Sequence, residues 1–283
     1  NFNRAATELH ITQPALSKSM KALEDEIGVI LLERGAAGVF PTPYGKIVAS
    51  SARLALGELR RSLNEVNALA TRGSGKVILG GGIVVKYLLP EIHRTLRGHG
   101  PPLQLEIVEM LRAPLLAALM NGEVDIAVCS ADDAYVHGRV QLPLLEDEMT
   151  VVAHRSHPLF ASPETLAPAA LAPYPWILPR ADEVERHQLE LAFLNAGLAR
   201  PDVRIETTSV SVMASIIGMD EGLSYLPRRA LAMDRTLHEL RPLPVTLPWQ
   251  PRRVSLFHRE SSLELDHIHL VIEAVQHVAR QAP

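Results

Sequence analysis

Thr12, Gln13, Pro14, Ser17, Lys18 and Lys21 fall within ten residues, at spacings that bring most of them to one polar helix face. The chemistry of such a face is hydrogen bonding to flat partners with several acceptors. A glutamine amide pairs bidentately with adenine, a lysine ammonium reaches guanine or a phosphate, and a serine hydroxyl serves either. A solvated polar face on an ordinary helix has the same periodicity, and periodicity alone does not separate the two. Farther along, Arg34 is placed to enter a minor groove or meet a phosphate.

A second candidate lies at Gly80-Gly81-Gly82, between the apolar run Val77-Ile78-Leu79 and an apolar-periodic segment after Ile83. Backbone N–H groups at Gly81, Gly82 and Ile83 there suit a carboxylate. A tight turn needing positive φ is the other reading. A phosphate loop is excluded, because no Gly-Lys-Ser/Thr follows. Ser130 is expected to cap a strand, and Arg112 is expected at the surface. His154/His157 and His267/His269 suggest metal ligands by count alone, and the second pair points in different directions on a helix, so no metal site is assigned. Cys129 follows an apolar strand and is expected in the core. No nucleophile, base and orienting group stand at a supporting spacing, so neither catalysis nor a cofactor is implied.

The elements that position these groups follow from periodicity. Phe2, Ala5, Ala6 and Leu9 predict a short helix with small residues for a close crossing. His10-Ile11-Thr12 is a turn, Thr12 an N-cap, and Pro14 falls in a first turn that tolerates it. The second helix is expected to bury Leu16, Met20, Leu23 and Ile27 and to end at Gly28. Leu31 to Arg34, a Gly35-Ala36-Ala37-Gly38 turn and Val39 to Thr42 make a β-hairpin. From Pro43 to Gly73-Ser74-Gly75, a long helix carries Ala52, Leu56, Leu59, Leu63, Val66 and Ala70 in a heptad stripe, flanked by Glu58, Arg60, Arg61 and Glu65. That stripe packs on its own domain or on a second copy, and the glycine-rich end reads as a hinge.

Beyond residue 76 the pattern is βαβαβ: strands at 76–79, 103–108 and 124–128, with helices at 84–97 and 114–121. A second such unit begins at 149–153, with helices at 183–196 and 210–219, strands at 203–206 and 253–258, and a closing helix at 265–280. Two α/β lobes, about 76–148 with 253–283 and about 149–252, leave a cleft at the ends of parallel strands, where small ligands bind.

At 283 residues the chain accommodates two or three domains. Its charge is uneven: residues 1–75 hold nine Lys/Arg against seven Asp/Glu, and residues 76–283 hold nineteen against twenty-five. A basic arm on an acidic body fits that asymmetry. One cysteine forms no internal disulfide, every long apolar run is broken by charge or proline, and the first residues are no signal peptide. These point to a cytoplasmic protein without membrane spans.

The ordered set Phe2, Ala5-Ala6, Leu9, Ile11-Thr12-Gln13-Pro14-Ala15-Leu16-Ser17, Leu23-Glu24, Gly28, Leu31-Leu32, Arg34, Gly38-Val39 and Thr42-Pro43-x-Gly45 resembles the winged helix-turn-helix of LysR-type transcriptional regulators. Tyr87-Leu88-Leu89-Pro90, Gly122-x-x-Asp125-Ile126-Ala127, His157-Pro158-Leu159, Gly197-Leu198 and Gly222-Leu223-x-x-Leu226-Pro227 resemble the effector domain of the same family. The resemblance implies a winged helix-turn-helix over 1–46, a dimerisation helix over 43–75, and a two-lobed α/β effector domain over 76–283, similar to type 2 periplasmic binding proteins. It implies contact of Gln13, Pro14, Ser17, Lys18 and Arg34 with double-stranded DNA, with Thr12 and Lys21 at phosphates. Thr208, with Ser209 beside it, falls at an effector position, and the effector is expected to be a small, anionic metabolite such as a carboxylate. A homodimer or homotetramer is expected. Two departures stand out: Ala37 replaces a basic residue of the wing, and the family's first helix, before Phe2, is not in the sequence. A stand-alone small-molecule binding protein with a degenerate DNA-binding segment is the alternative.

Overall fold

A computed structural model describes residues 2–35, 38–70, 75–97, 103–131, 136–161, 165–181, 183–219, 222–249 and 251–282, without the side chains of 34, 54, 58, 60, 61, 64, 65, 67–70, 263 and 264. The chain divides into two compact units, Asn1–Asn64 and Glu65–Pro283.

In the first unit, helix α1 (Phe2–Glu8) turns into α2 (Gln13–Ile27) through His10, which takes the left-handed φ of 54°. Thr12 caps α2 by accepting the Ala15 N–H at 3.4 Å. Gly28 ends it with φ 80° and an N–H to the Glu24 carbonyl at 2.8 Å. Strands β1 (Leu32–Gly35) and β2 (Gly38–Pro41) pair antiparallel; Ala36 and Ala37, the expected tip, lie outside the described residues. Glu24 ties helix to hairpin, its Oε1 accepting the N–H groups of Leu31 at 2.7 Å and Leu32 at 3.0 Å. Helix α3 (Pro43–Ala70) starts on Thr42, whose hydroxyl donates to the Ile30 carbonyl at 2.8 Å and accepts the Gly45 N–H at 3.0 Å.

The expected burial of the α1 and α2 apolar faces is incomplete. Leu16 and Met20 are only half-buried, while Leu23 and Ile27 are 37% and 44% exposed. Leu9, assigned to the α1 apolar face, is exposed too. On α3, Leu56, Leu59, Leu63 and Val66 are each more than half exposed, so the heptad stripe does not pack within its own unit. The side chains of Glu58, Arg60, Arg61, Glu65 and Ala70 lie outside the described residues, as do Gly73 and Ser74. Gly75 is buried, its carbonyl accepting the Gln104 N–H at 2.9 Å, so this glycine is anchored rather than a free hinge.

The second unit holds two sheets. Strands β3 (Lys76–Gly81), β4 (Gln104–Glu109) and β5 (Ile126–Ser130) run parallel, linked by α4 (Ile83–Arg97) and α5 (Arg112–Met120). Strands β6 (Arg139–Asp147) and β12 (Arg252–Arg259) complete the order β4-β3-β5-β12-β6, with β12 antiparallel to both neighbours. The first sheet is therefore mixed, not purely parallel.

The chain then passes through β7 (Met149–His154) into the second sheet, where β10 (Ser224–Pro227) and β11 (Leu240–Pro242) flank β7 antiparallel. Parallel strands β8 (Pro175–Leu178) and β9 (Asp202–Glu206) join it through a bridge between Trp176 and Leu223. Helices α6 (Val184–Asn195), α7 (Val210–Ile217) and α8 (Arg228–Met233) cover this sheet, and α9 (Asp266–Gln281) packs with α4 against the first.

Fully buried Leu79, Leu88, Ile126 and Val271 lie in the core under α4 and α9; each such side chain contributes about 1.5–3 kcal/mol by leaving water. Trp176 meets Phe193 edge-on at 5.6 Å in a second cluster. Asp125 is a structural tie: Oδ2 accepts the Ile78 N–H at 2.8 Å and Oδ1 meets Arg259 at 3.3 Å.

On β12, burial lowers the proton affinity of His258, helped by the charge of Arg259 and partly opposed by a bond to the Arg259 carbonyl; the charge of His269 also lowers it. His269 lies on α9 and pairs with Glu273 at 3.2 Å. A histidine pKa lowered on folding contributes stability that is present above the unfolded value of 6.5 and lost as the pH falls below it. Stability of the second unit is expected to drop between pH 7 and 5, and His258→Gln to flatten that drop. Urea titrations at several pH values check this.

Candidate functional site

The DNA-type contacts expected from sequence fall on the first turns of α2. Gln13 and Ser17 stand one turn apart, and the amide of Gln13 donates to the Ser17 hydroxyl at 2.8 Å. That bond holds the amide in place before any partner arrives. Thr12, Pro14, Lys18 and Lys21 are exposed around them. The backbone of Arg34 pairs with Val39 in the hairpin, and its side chain lies outside the described residues. The Thr12 cap and Pro14 thus start a helix whose first two turns carry Gln13, Pro14, Ser17 and Lys18, with Lys21 one turn farther along.

In the second unit a cavity of about 450 Å³ opens between the two sheets. The first sheet contributes Gly82, Ile83, Arg112, Cys129, Ser130 and Arg252. The second contributes Glu183, Glu185, Thr208, Ser209, Met213 and Tyr225. Of the expected contacts, Gly82, Ile83, Ser130, Thr208 and Ser209 line it. Gly81 does not: a Cβ there would meet Val85 Cγ2 at 2.3 Å and the Val128 carbonyl at 2.8 Å. None of Gly80, Gly81 and Gly82 has positive φ, so close packing on the Val128 carbonyl, not a turn, excludes a side chain at Gly81, while at Gly80 a Cβ would press on Leu115 Cδ1 at 2.3 Å. At Gly82 a Cβ would meet nothing within 4 Å.

Other placements differ from expectation. Arg112 is not a surface residue: it lines the cavity, and its Nε donates to the Ser130 carbonyl at 3.2 Å. Cys129 sits within β5, half-buried, packed against the core cluster of Leu115, Leu119 and Phe257 and also at the cavity wall. Ser130 is the last residue of β5, and its hydroxyl donates to Glu185 Oε1 at 2.6 Å, a direct bond between residues on opposite walls. Ser209 caps α7, accepting the Val212 N–H at 3.4 Å. Four helix N-termini, of α4, α5, α6 and α7, therefore border the cavity.

Sequence reasoning missed Glu183, Glu185, Tyr225 and Arg252. Arg252 Nη2 meets Asp147 Oδ2 at 3.1 Å, and Tyr87 donates to the same oxygen at 2.9 Å. Burial, then the charge of Asp147 and the bond to it, push the Tyr87 phenol well above its ordinary range. The histidine pairs go elsewhere: His154 to Ser156 and Glu239, His157 against Tyr174, His269 to Glu273. Among the described residues no group of three or more His, Cys, Asp or Glu is placed to hold a metal ion.

Residues 1–46 match the model of the bacterial regulatory helix-turn-helix protein, lysR family, and residues 72–280 match the LysR substrate binding domain. The chain belongs to the LysR family of transcriptional regulators. Similar LysR-family proteins include the hydrogen peroxide-inducible genes activator of Pectobacterium carotovorum, 27% identical over 93% of this chain and 86% of that protein. The DNA-binding transcriptional dual regulator OxyR of Escherichia coli K12 is 27% identical over 98% of this chain and 90% of that one. Among solved structures, a hydrogen peroxide-bound mutant of Corynebacterium glutamicum OxyR aligns with TM-score 0.57 at 25% identity, over 100% of this chain and 87% of that one. Full-length Pseudomonas aeruginosa OxyR, at 23% identity and TM-score 0.63, shares the fold over 100% of this chain and 90% of its own. As a LysR-type regulator the chain joins a DNA-binding helix-turn-helix to an effector-binding domain, and no described helix is long and apolar enough to cross a membrane.

Proposed function

We propose that this LysR regulator reads DNA through the first turns of α2, with Gln13, Pro14, Ser17 and Lys18 at base edges, Thr12 and Lys21 at phosphates, and Arg34 of the hairpin at a phosphate or minor groove. The observation that carries this reading is the Thr12-capped helix whose first turns present Gln13, Pro14, Ser17 and Lys18 together. The regulator works in the cytoplasm as a homodimer or homotetramer, two copies pairing along the exposed stripe Leu56, Leu59, Leu63 and Val66. Two-fold pairing lets one small domain read a two-fold site. Residues 1–46 act as the DNA reader, 43–75 as the pairing helix, and 76–283 as the sensor.

The sensor binds a small effector in the cavity between the sheets, at Gly82, Ile83, Ser130, Thr208 and Ser209, with the N-termini of α4 and α7 and the Arg112 side chain offered to an acid group. The effector acts by favouring one arrangement of the oligomer over another. The relatives named as peroxide-inducible activators suggest a second reading, sensing of peroxide, for which the chain offers only Cys129.

The contact assignment is tested with Lys18→Ala plus Arg34→Ala, by fluorescence anisotropy on duplexes selected from a random pool, over a salt series. Affinity is expected to fall by about tenfold or more, with a shallower salt dependence. Unchanged affinity would sink the assignment.

A further inference from the structure

The effector cleft, taken as the ligand site on the reading above, does not have the charge balance of an anion pocket. Its wall carries Glu109, Glu183 and Glu185 against Arg112 and Arg252. Both arginines are engaged: Arg112 Nε on the Ser130 carbonyl at 3.2 Å, and Arg252 with Asp147 at 3.1 Å and Glu185 at 3.8 Å. Glu185 gives only Oε1 to Ser130, and among the described residues none donates a hydrogen bond to its Oε2.

Tyr225 lines the same cavity, 7% exposed, with a buried hydroxyl that has no partner among the described residues. Burial first, then the charges of Glu185 and Glu183, hold its phenol far above the ordinary range. The hydroxyl is therefore neutral and lies within the field of both glutamates, which the charges of Arg186 and Arg252 oppose only in part. An orphaned buried hydroxyl is costly unless something satisfies it. A carboxylate brought here would face two glutamates. A protonated nitrogen has three donors, which match Glu185 Oε2, Glu183 and the Tyr225 oxygen, and the tyrosine ring adds attraction for a cation.

We propose that the effector of this regulator carries a protonated nitrogen, seated at the Glu183–Glu185–Tyr225 end of the cleft. A ligand that also has an acid group, as an amino acid does, uses the helix N-termini and Arg112 as well. The Ser130–Glu185 bond then becomes part of the response, because a cation on Glu185 draws that carboxylate toward itself and loosens a tie between the two walls.

The test uses the full chain and matched probes: phenylalanine, phenethylamine and 3-phenylpropanoate, with lysine, putrescine and adipate as a flexible set. Melting curves and calorimetry are run on the wild type, Glu185→Gln and Tyr225→Phe. Glutamine still accepts the Ser130 hydroxyl, and an unchanged unliganded Tm verifies its fold; Glu183→Gln serves if it does not fold. Amine-bearing probes are expected to raise the Tm of the wild type, and Glu185→Gln to weaken them by about tenfold or more. Stabilisation by the two carboxylates with none from the amines overturns the proposal and leaves the cleft as the effector site. Amine binding unchanged in Glu185→Gln and Tyr225→Phe also overturns it, by moving the nitrogen elsewhere. Stabilisation by no probe overturns the proposal, and the effector reading itself is then judged separately, by whether crude small-molecule extracts shift the same melt.

Discussion

Arg259→Ala is expected to destabilise the second unit by about 3–5 kcal/mol, the cost of leaving a buried charge without its partner. Arg259 ends β12 with almost no exposed surface. Its guanidinium donates to the carbonyls of Leu119 and Val124 and meets Asp125 Oδ1 at 3.3 Å. Asp125 in turn accepts the N–H of Ile78 in β3. One side chain thus joins β12, the end of α5, the approach to β5 and β3. Its removal leaves two buried carbonyls without a donor and the half-buried Asp125 carboxylate without its counter-charge. Arg259→Lys keeps the charge but loses the fork, so a partial loss is expected. Both tryptophans, Trp176 and Trp249, lie in the second unit. Urea unfolding followed by their fluorescence therefore reads this unit alone, and a midpoint unmoved by Arg259→Ala would refute the argument.

Gly45→Ala is expected to cost the first unit about 1–3 kcal/mol or more, although the substitution adds a single methyl group. A Cβ at Gly45 would stand 2.0 Å from the Leu31 carbonyl oxygen, a backbone atom that cannot step aside. That carbonyl also accepts the Thr42 N–H at 2.9 Å and the Thr42 hydroxyl at 3.2 Å. The start of α3 and the root of the hairpin must separate, carrying Arg34 with the hairpin. DNA affinity is expected to fall while the tryptophan-reported transition stays where it was. Gly82→Ala is the contrasting control, since open space surrounds its Cβ position. Circular dichroism melts and anisotropy together distinguish a local break from general unfolding; equal effects of the two variants would contradict the steric account.

Much of the fold was legible because local rules agree with the final structure. Thr12, Pro14 and Gly28 mark α2 to the residue, since caps act over one turn and need no distant partner. Thr42-Pro43-x-Gly45 is explained by a cap, a tolerated first-turn proline and a carbonyl contact. Strand β6 was missed: Pro143 interrupts its pattern, and the pairing with β12 shifts register between Val254 and Ser255. Strands β8 and β11 are too short to show a period. In the cleft, Gly82 and Thr208 were found through motif position and Ser130 through its place at a strand end, whereas Glu185, Tyr225 and Arg252 come from separate elements whose meeting no spacing encodes. Arg112 was misplaced for the same reason. A residue at a helix start has no local mark that distinguishes solvent from a cleft, and only the Ser130 carbonyl at the end of β5 decides it. Leu23 and Ile27 show the reverse limit, for periodicity names an apolar face without supplying what covers it.

The position of β12 has a consequence for how the protein is made. The strand lies between β5 and β6, yet it is encoded more than a hundred residues after either. During synthesis β3, β4, β5 and β6 emerge from the ribosome as two separated edges with an open slot between them. Neither edge can close until residues 252–259 are translated, and Arg259 arrives last of that strand to lock Asp125. The nascent sensor therefore spends most of its synthesis with unpaired strand edges, the state most prone to joining a neighbouring chain. Ribosome stalling or premature termination before Arg252 is expected to yield an insoluble product rather than a shortened sensor.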